Sequence, residues 1–376
     1  MPGIPHGDAV TVAGANVDGS VLNEEPAKSE KAAPNEFEEV VKLPDVFAYF
    51  ANGDLKVHPD YDDCVLAAKK WLLKYTDEKT ASYVISIDWC WYSAACVPEA
   101  NFEGLRLVSD WGNCLFPFDD LFDDGLMDKD IDAGRDLIDS LLAYTRGQKW
   151  HKPKHPFAKA HDDIWDRLQQ GSPSIAKRYA ASIEASLNSV LETIIENVDG
   201  RLSTFEERVE RAHTSAYSMP MCIMIQSVLG IELPEEVYSN PVFLKLERLA
   251  RDVLIVQNDV LSYQKEQLDG ANNNVISLLR AQGRSAQEAM DQCGTYLDQV
   301  YHDWYETRAK LPSFGKEVDD KVQDYIENVL LVSVRTNPHC TFRSKRYFGE
   351  NGEQVRKTGC ITVHSDKRLE QLLKKE

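Results

Sequence analysis

Apolar residues along this chain recur at helical spacing. In DYDDCVLAAKKWLLKY, Val65, Ala68, Trp71, Leu72 and Tyr75 fall on one stripe, while Lys69, Lys70 and Lys74 lie off it. The same period runs through SIAKRYAASIEASLNSVLETIIENV, PVFLKLERLARDVLIVQNDVLSYQKE and SAQEAMDQCGTYLDQVYHDWYETRAKL. Breakers punctuate these stretches: Gly147 onward, Gly171 to Pro173, Gly200, Gly230 to Pro234, and Pro312 to Gly315. MCIMIQSVLG is apolar nearly all round, which predicts a helix deep in the interior. No alternating stretch is long enough to predict a strand, and no internal repeat is present. The pattern predicts about ten or more helices with no linker between them, a single all-α domain.

The ends read differently. Residues 1–42 are rich in small, polar, Pro and Gly residues, a composition too poor in apolar surface to pack, and are expected to form a disordered tail. They lack the basic start and apolar run of a secretory signal. The folded domain is expected over 43–350, with 351–376 a flexible extension. No apolar run approaches the ~18 residues of a membrane span, and the eight cysteines show no CxxC or His-paired spacing. Reduced, buried thiols and a cytoplasmic location are the simplest expectation.

Composition adds one exclusion. The formal net charge of −19 argues against a nucleic-acid partner, because phosphate backbones are held by surplus Lys and Arg. It leaves an anionic small molecule open, since bound cations reverse the local sign.

Two polar interruptions of the apolar pattern carry chemistry. FPFDDLFDDG, residues 116–125, sets four aspartates beside three phenylalanines. It continues a helix expected from about Leu105, with Pro117 bending or breaking it. Asp119 and Asp123 then share a face one turn apart, and Asp120 and Asp124 make a second, rotated pair. Such pairs repel unless a cation joins them, and hard cations such as Mg²⁺ take oxygen ligands of this kind. In a chain this acidic, aspartates at this spacing are not specific alone. The second interruption is more so. In NDVLSYQKE, Asn258, Ser262 and Glu266 stack along one helix face over two turns. Their amide oxygen, hydroxyl and carboxylate can jointly chelate a hard cation. The helix is otherwise apolar, with Leu249, Val253, Leu254, Val256 and Leu261, so a polar stripe on it needs partners.

DDLFD at 119–123 with NDVLSYQKE at 258–266 resembles the two metal motifs of class I terpene cyclases, and DWGNCLFPFDDLFDDG looks especially like fungal sesquiterpene synthases. NPHCTFRSKRYFG resembles the family's C-terminal Arg-Tyr element, and RVERAHTSAYSMP the segment holding its diphosphate-sensing arginine. The four elements appear in the family's order over roughly residues 45–350. The resemblance implies a class I terpene synthase-type helical bundle around a central apolar cavity. It implies three Mg²⁺ ions held by Asp119, Asp123, Asn258, Ser262 and Glu266, with diphosphate contacts from Arg211, Lys265, Arg346 and Tyr347. Arg208, one turn before Arg211, is the alternative sensor. The implied reaction is ionisation of a prenyl diphosphate, most simply farnesyl diphosphate, and cyclisation of the cation to a sesquiterpene hydrocarbon or alcohol.

An apolar, dry cavity follows from that reaction, because water quenches a carbocation and aromatic faces stabilise one without reacting. Phe116, one turn before Asp119, is the first expected wall residue; Trp89, Trp91, Trp111, Phe118 and Trp304 are looser candidates, for which plain helix packing is the leading reading. Two positions depart from the family. Cys340 stands where a tryptophan is usual, and Ser215 where the effector residue is often glycine. Competing readings are a monoterpene or diterpene synthase of the same class, a prenyl chain-elongating enzyme, and a non-catalytic helical scaffold. A chain-elongating enzyme would carry a second aspartate-rich motif where NDVLSYQKE stands. The partner expected is a small prenyl diphosphate, with the protein a monomer or homodimer.

Overall fold

Helical stripes become helices whose apolar faces meet in one core. The computed structural model describes residues 36–51, 54–123, 131–148, 153, 155–198, 203–269 and 274–366. A short strand, β1 (Glu38–Lys42), precedes helices α1 (Tyr61–Leu72), α2 (Glu78–Ser86), α3 (Trp89–Cys96), α4 (Phe102–Asp123), α5 (Ile131–Leu142), α6 (Pro156–Leu168) and α7 (Pro173–Val198). Then come α8 (Phe205–Ser215), α9 (Ser218–Leu229), α10 (Glu235–Tyr238), α11 (Pro241–Asp269), α12 (Val275–Ala281), α13 (Ala286–Arg308) and α14 (Lys316–Tyr325). A π-helical turn at Ile326–Leu331 joins α14 to α15 (Val332–Arg343), followed by α16 (Lys345–Phe348), α17 (Gly352–Thr358) and strand β2 (Cys360–His364). The all-α expectation holds.

Local chemistry sets the helix ends. Capping boxes open α8 (Thr204 with Glu207) and α13 (Ser285 with Glu288), each satisfying two backbone N–H groups that a helix start leaves free. Gly230, in the left-handed region at φ 65°, closes α9. The expected depth of MCIMIQSVLG is also found, since Met221 through Gln226 are all buried in α9. α11 is the central helix: α8, α12, α13, α15 and α16 all pack on it.

Of the two expectations at Pro117, a bend or a break, the break is corrected: α4 runs through it to Asp123. Two further expectations are corrected. Strands are present: β1 and β2 pair antiparallel, Val41 opposite Ile361. A two-stranded ribbon of five residues a side is too short to announce itself by alternation. The third correction follows from this ribbon. The expected tail ending at residue 42 takes in all of β1 and the expected extension from 351 takes in all of β2, yet Val41, Ile361 and Val363 are each 2% exposed or less. Arg280 of α12 clamps it, donating to the His364 carbonyl at 2.8 Å, to Glu39 at 3.0 Å and to Asp366 at 2.6 Å. Residues 1–35 lie outside the described residues.

Candidate active site

The site is assembled around the last turns of α4. Trp89, at the start of α3, lies flat across α4 where Gly112 leaves no side chain; a Cβ there would meet the indole Nε1 at 1.8 Å. The indole donates to the Val108 carbonyl at 3.3 Å, stacks on Tyr92 at 4.2 Å and meets the Phe116 ring at 4.9 Å. Phe116 is partly buried, and the Arg346 guanidinium of α16 lies over its ring, 5.8 Å from the centroid. Asp119 follows one turn on, half-buried, while the side chain of Asp123, the last residue of α4, lies outside the described residues. Of the other aromatic residues, Trp111 donates to Tyr179 at 2.9 Å, Phe118 is wholly buried, Trp304 packs against Phe50, and Trp91 carries the Arg343 guanidinium at 5.4 Å. The first three read as packing.

α16 links the two halves of the site. Arg346 donates to the Tyr83 hydroxyl at 2.7 Å, its backbone N–H is capped by Ser344, and Ser344 in turn donates to the Ile87 carbonyl at 2.8 Å. α16 also packs on α11, so Phe116 and the second motif are bridged by the element that carries Arg346 and the half-buried Tyr347.

On α11, Asn258 and Glu266 are half-buried and flank Ser262, which is 2% exposed. Over eight residues of helix the outer two sit about 12 Å apart, one turn to either side of the short central one. A buried serine in mid-helix normally donates back to the carbonyl four residues earlier. Ser93 and Ser333 do so, at 3.0 and 2.8 Å. The buried Ser262 hydroxyl has no hydrogen-bond partner among the described residues. Leaving such a group unsatisfied costs about 1–3 kcal/mol, a cost that a coordinated cation removes. Among the described residues no three His, Cys, Asp or Glu side chains form a closed metal cage. Hydroxyl, amide and carboxylate along one helix face fit a hard cation that keeps positions for substrate oxygens.

α8 brings the arginines. Arg208 is buried and pairs with Asp259 of α11 at 3.4 Å. Burial pushes the Asp259 carboxyl up, and Arg208 and the Val275 N–H pull it back. Arg211 is half-buried and donates to Ser203, ahead of α8. Of the two sensor alternatives, Arg208 is thus engaged in tying α8 to α11. The α8 helix ends at Ser215, whose hydroxyl donates to the Arg211 carbonyl at 3.4 Å, and Tyr217 turns the chain at φ 51° before α9. The His213 Nε2 contacts Asp252 of α11 at 2.7 Å. Cys340, on α15, is buried with its sulfur 4.0 Å from the Asp88 carbonyl. Phe342 is held between Phe47 and Phe348.

Two residues were not among the expected ones. Asp259 accepts the Val275 N–H at 2.9 Å, and Asn274 donates to Glu266 at 2.8 Å. Asn274 carries a readable signal, an Asn just before the apolar run VISLL, which marks a helix N-cap. Its contact with Glu266 carries none, because no periodicity reports how a chain returns after a turn.

The fold is a helical bundle, and one face of α11 sets an amide, a hydroxyl and a carboxylate in the order that suits a hard cation. The comparisons agree: residues 110–303 match Terpene synthase family 2, C-terminal metal binding, and the chain belongs to the terpene synthase family. Dependence on a divalent metal comes with that family. Cycloaraneosene synthase sdnA of Sordaria araneosa is 30% identical over 329 residues, 84% of this chain and 89% of its own. The (1R,4R,5S)-(-)-guaia-6,10(14)-diene synthase of Fusarium proliferatum is 28% identical over 344 residues, 85% of this chain and 84% of its own. A solved structure of a cucumene synthase variant superposes with a TM-score of 0.68 at 22% identity, covering 78% of this chain and 98% of that one. That likeness is one of fold.

Proposed function

We propose that this chain ionises farnesyl diphosphate in a Mg²⁺-dependent reaction and cyclises the resulting cation to a sesquiterpene, releasing diphosphate. One observation carries the reading: the buried Ser262 hydroxyl, unpartnered among the described residues, between Asn258 and Glu266 on a helix whose Leu249, Val253, Val256 and Leu261 join the core. Relatives named for guaiadiene, eremophilene, silphinene and muurolene, all sesquiterpene synthases, support the C15 substrate. When bound, Mg²⁺ supplies Lewis-acid stabilisation of charge growing on the diphosphate oxygens and a template for the leaving group.

Asp119 and Asp123 would hold metal from α4, and Asn258, Ser262 and Glu266 from α11, three ions in all. Arg211, Lys265 and Arg346 add charge-assisted hydrogen bonds to the diphosphate, Arg346 and Arg211 in the bidentate geometry that guanidinium allows. The Tyr347 hydroxyl donates one more. Phe116 serves two partners: its ring face lies under the Arg346 guanidinium and is suited to a passing carbocation by the same quadrupole attraction. Incubation of the purified chain with C10, C15 and C20 prenyl diphosphates and Mg²⁺, followed by volatile analysis, tests this. Cyclic C15 products and released diphosphate are expected. Turnover of C20 but not C15 substrate would move the reading to a diterpene synthase, and no Mg²⁺-dependent diphosphate release would overturn it.

A further inference from the structure

We infer that Asn274 is a positioning residue for the metal site: its carboxamide holds the Glu266 carboxylate in the orientation in which it meets a cation. This rests on the reading above that Glu266 is a metal ligand. Asn274 is wholly buried at the N-cap of α12. Its Oδ1 accepts the Ile276 N–H at 2.8 Å, which fixes which end of the amide is oxygen. Its Nδ2 therefore carries both donors. One goes to the Asp259 carbonyl at 2.7 Å and the other to the Glu266 Oε2 at 2.8 Å. Both N–H donors of the amide are thus used, and no rotation preserves all three bonds.

The anchor behind it is equally determined. Asp259 lies on α11, two turns before Glu266; its Oδ2 accepts the Val275 N–H and its Oδ1 pairs with Arg208 of α8. The start of α12 is thereby locked to α11 and, through Arg208, to the helix that carries Arg211. With Oε2 engaged by a donor that cannot move, Glu266 loses rotamer freedom before a cation arrives. A partner of this kind typically contributes 10–100-fold to metal affinity when it orients a ligand.

Two variants separate positioning from folding. Asn274→Ser keeps an N-cap acceptor and removes the long amide donor. Asn274→Asp keeps the cap and sets a carboxylate against Glu266. The probe is Mn²⁺ with inorganic diphosphate, titrated calorimetrically into the protein without substrate, beside thermal melts in metal-free buffer. Mn²⁺ affinity is expected to fall about 10–100-fold in Asn274→Ser and further in Asn274→Asp, with at least the Ser variant folded and melting cooperatively in metal-free buffer. In a Glu266→Gln background the Asn274 changes should add little, since they act through that carboxylate. Weakened binding in Glu266→Gln with parental binding in both Asn274 variants overturns the positioning role alone. Parental binding in Glu266→Gln overturns the ligand assignment instead. Loss of the fold in both Asn274 variants without metal makes Asn274 a folding element and also ends the proposal.

Discussion

Replacing Gly112 by alanine tests whether the aromatic wall is set by one missing side chain. A helix-interior glycine costs about 0.5–1 kcal/mol relative to alanine, so with no steric role Gly112→Ala should stabilise α4 by that amount. The structure predicts the opposite sign. The new methyl would lie 1.8 Å from the Trp89 Nε1 and 2.1 Å from its Cδ1 and Cε2, so the indole must move. Trp89 is only 8% exposed and is stacked on Tyr92 and Phe116, so it has little room. Overpacking costs about 1–3 kcal/mol, and each disturbed ring pair about 0.5–1.5 kcal/mol. Against the propensity gain, a net loss of about 1–5 kcal/mol remains when both ring pairs are disturbed, a fall of several degrees in melting temperature at this chain length. Displacing Trp89 also shifts Phe116 under Arg346, and about 1.4 kcal/mol between competing cyclisation barriers changes a product ratio tenfold. The assays are a thermal melt and the volatile profile from farnesyl diphosphate. Adding Trp89→Leu should recover part of the lost melting temperature, because the two changes share one space. A Gly112→Ala protein that melts higher than the parent and gives its product ratio would refute this account.

Asp119→Ala is expected to abolish turnover while leaving the helical circular-dichroism signal nearly unchanged; near-normal activity would pass the ligand role to Asp120 or Asp123. Ser262→Ala should raise the Mg²⁺ concentration for half-maximal rate yet leave or raise the melting temperature without metal, since it removes an unsatisfied buried hydroxyl. A lower metal-free melting temperature at parental Mg²⁺ dependence would show that the hydroxyl is structural. Cys340→Trp should alter the product mixture more than substrate consumption, and an unaltered mixture from a stable variant would show that this position does not border the reacting chain. Burial holds the His161 imidazole down at about 4 against an ordinary 6.5. The unfolded chain therefore takes up its proton first as pH falls. Stability is whole above about pH 6.5 and declines toward pH 4, by at most about 1.4 kcal/mol per pH unit from this group. His161→Gln should flatten that slope; identical pH-melting curves for parent and variant would assign the decline elsewhere.

The sequence by itself was enough for the all-α class, for the stripe of Asn258, Ser262 and Glu266, and for the turn spacing that puts Phe116 next to Asp119. Each is a consequence of one local period, 3.6 residues per turn, and needs no knowledge of neighbours. Tertiary structure decided what no local period encodes. It paired β1 with β2 from opposite ends of the chain, drawing into the folded body segments whose composition reads as tail. It carried α4 past Pro117, because packing on α6 and α9 outweighs one lost backbone hydrogen bond. It tied Arg208, the alternative to Arg211 as diphosphate sensor, to a buried aspartate of α11. It set Arg346 over Phe116, and Asn274 against Glu266, because α16 and α12 return to the helices that carry those partners. Side chains that act together here are brought together by the packing of helices, and the free energy that decides that packing is spread over the whole core.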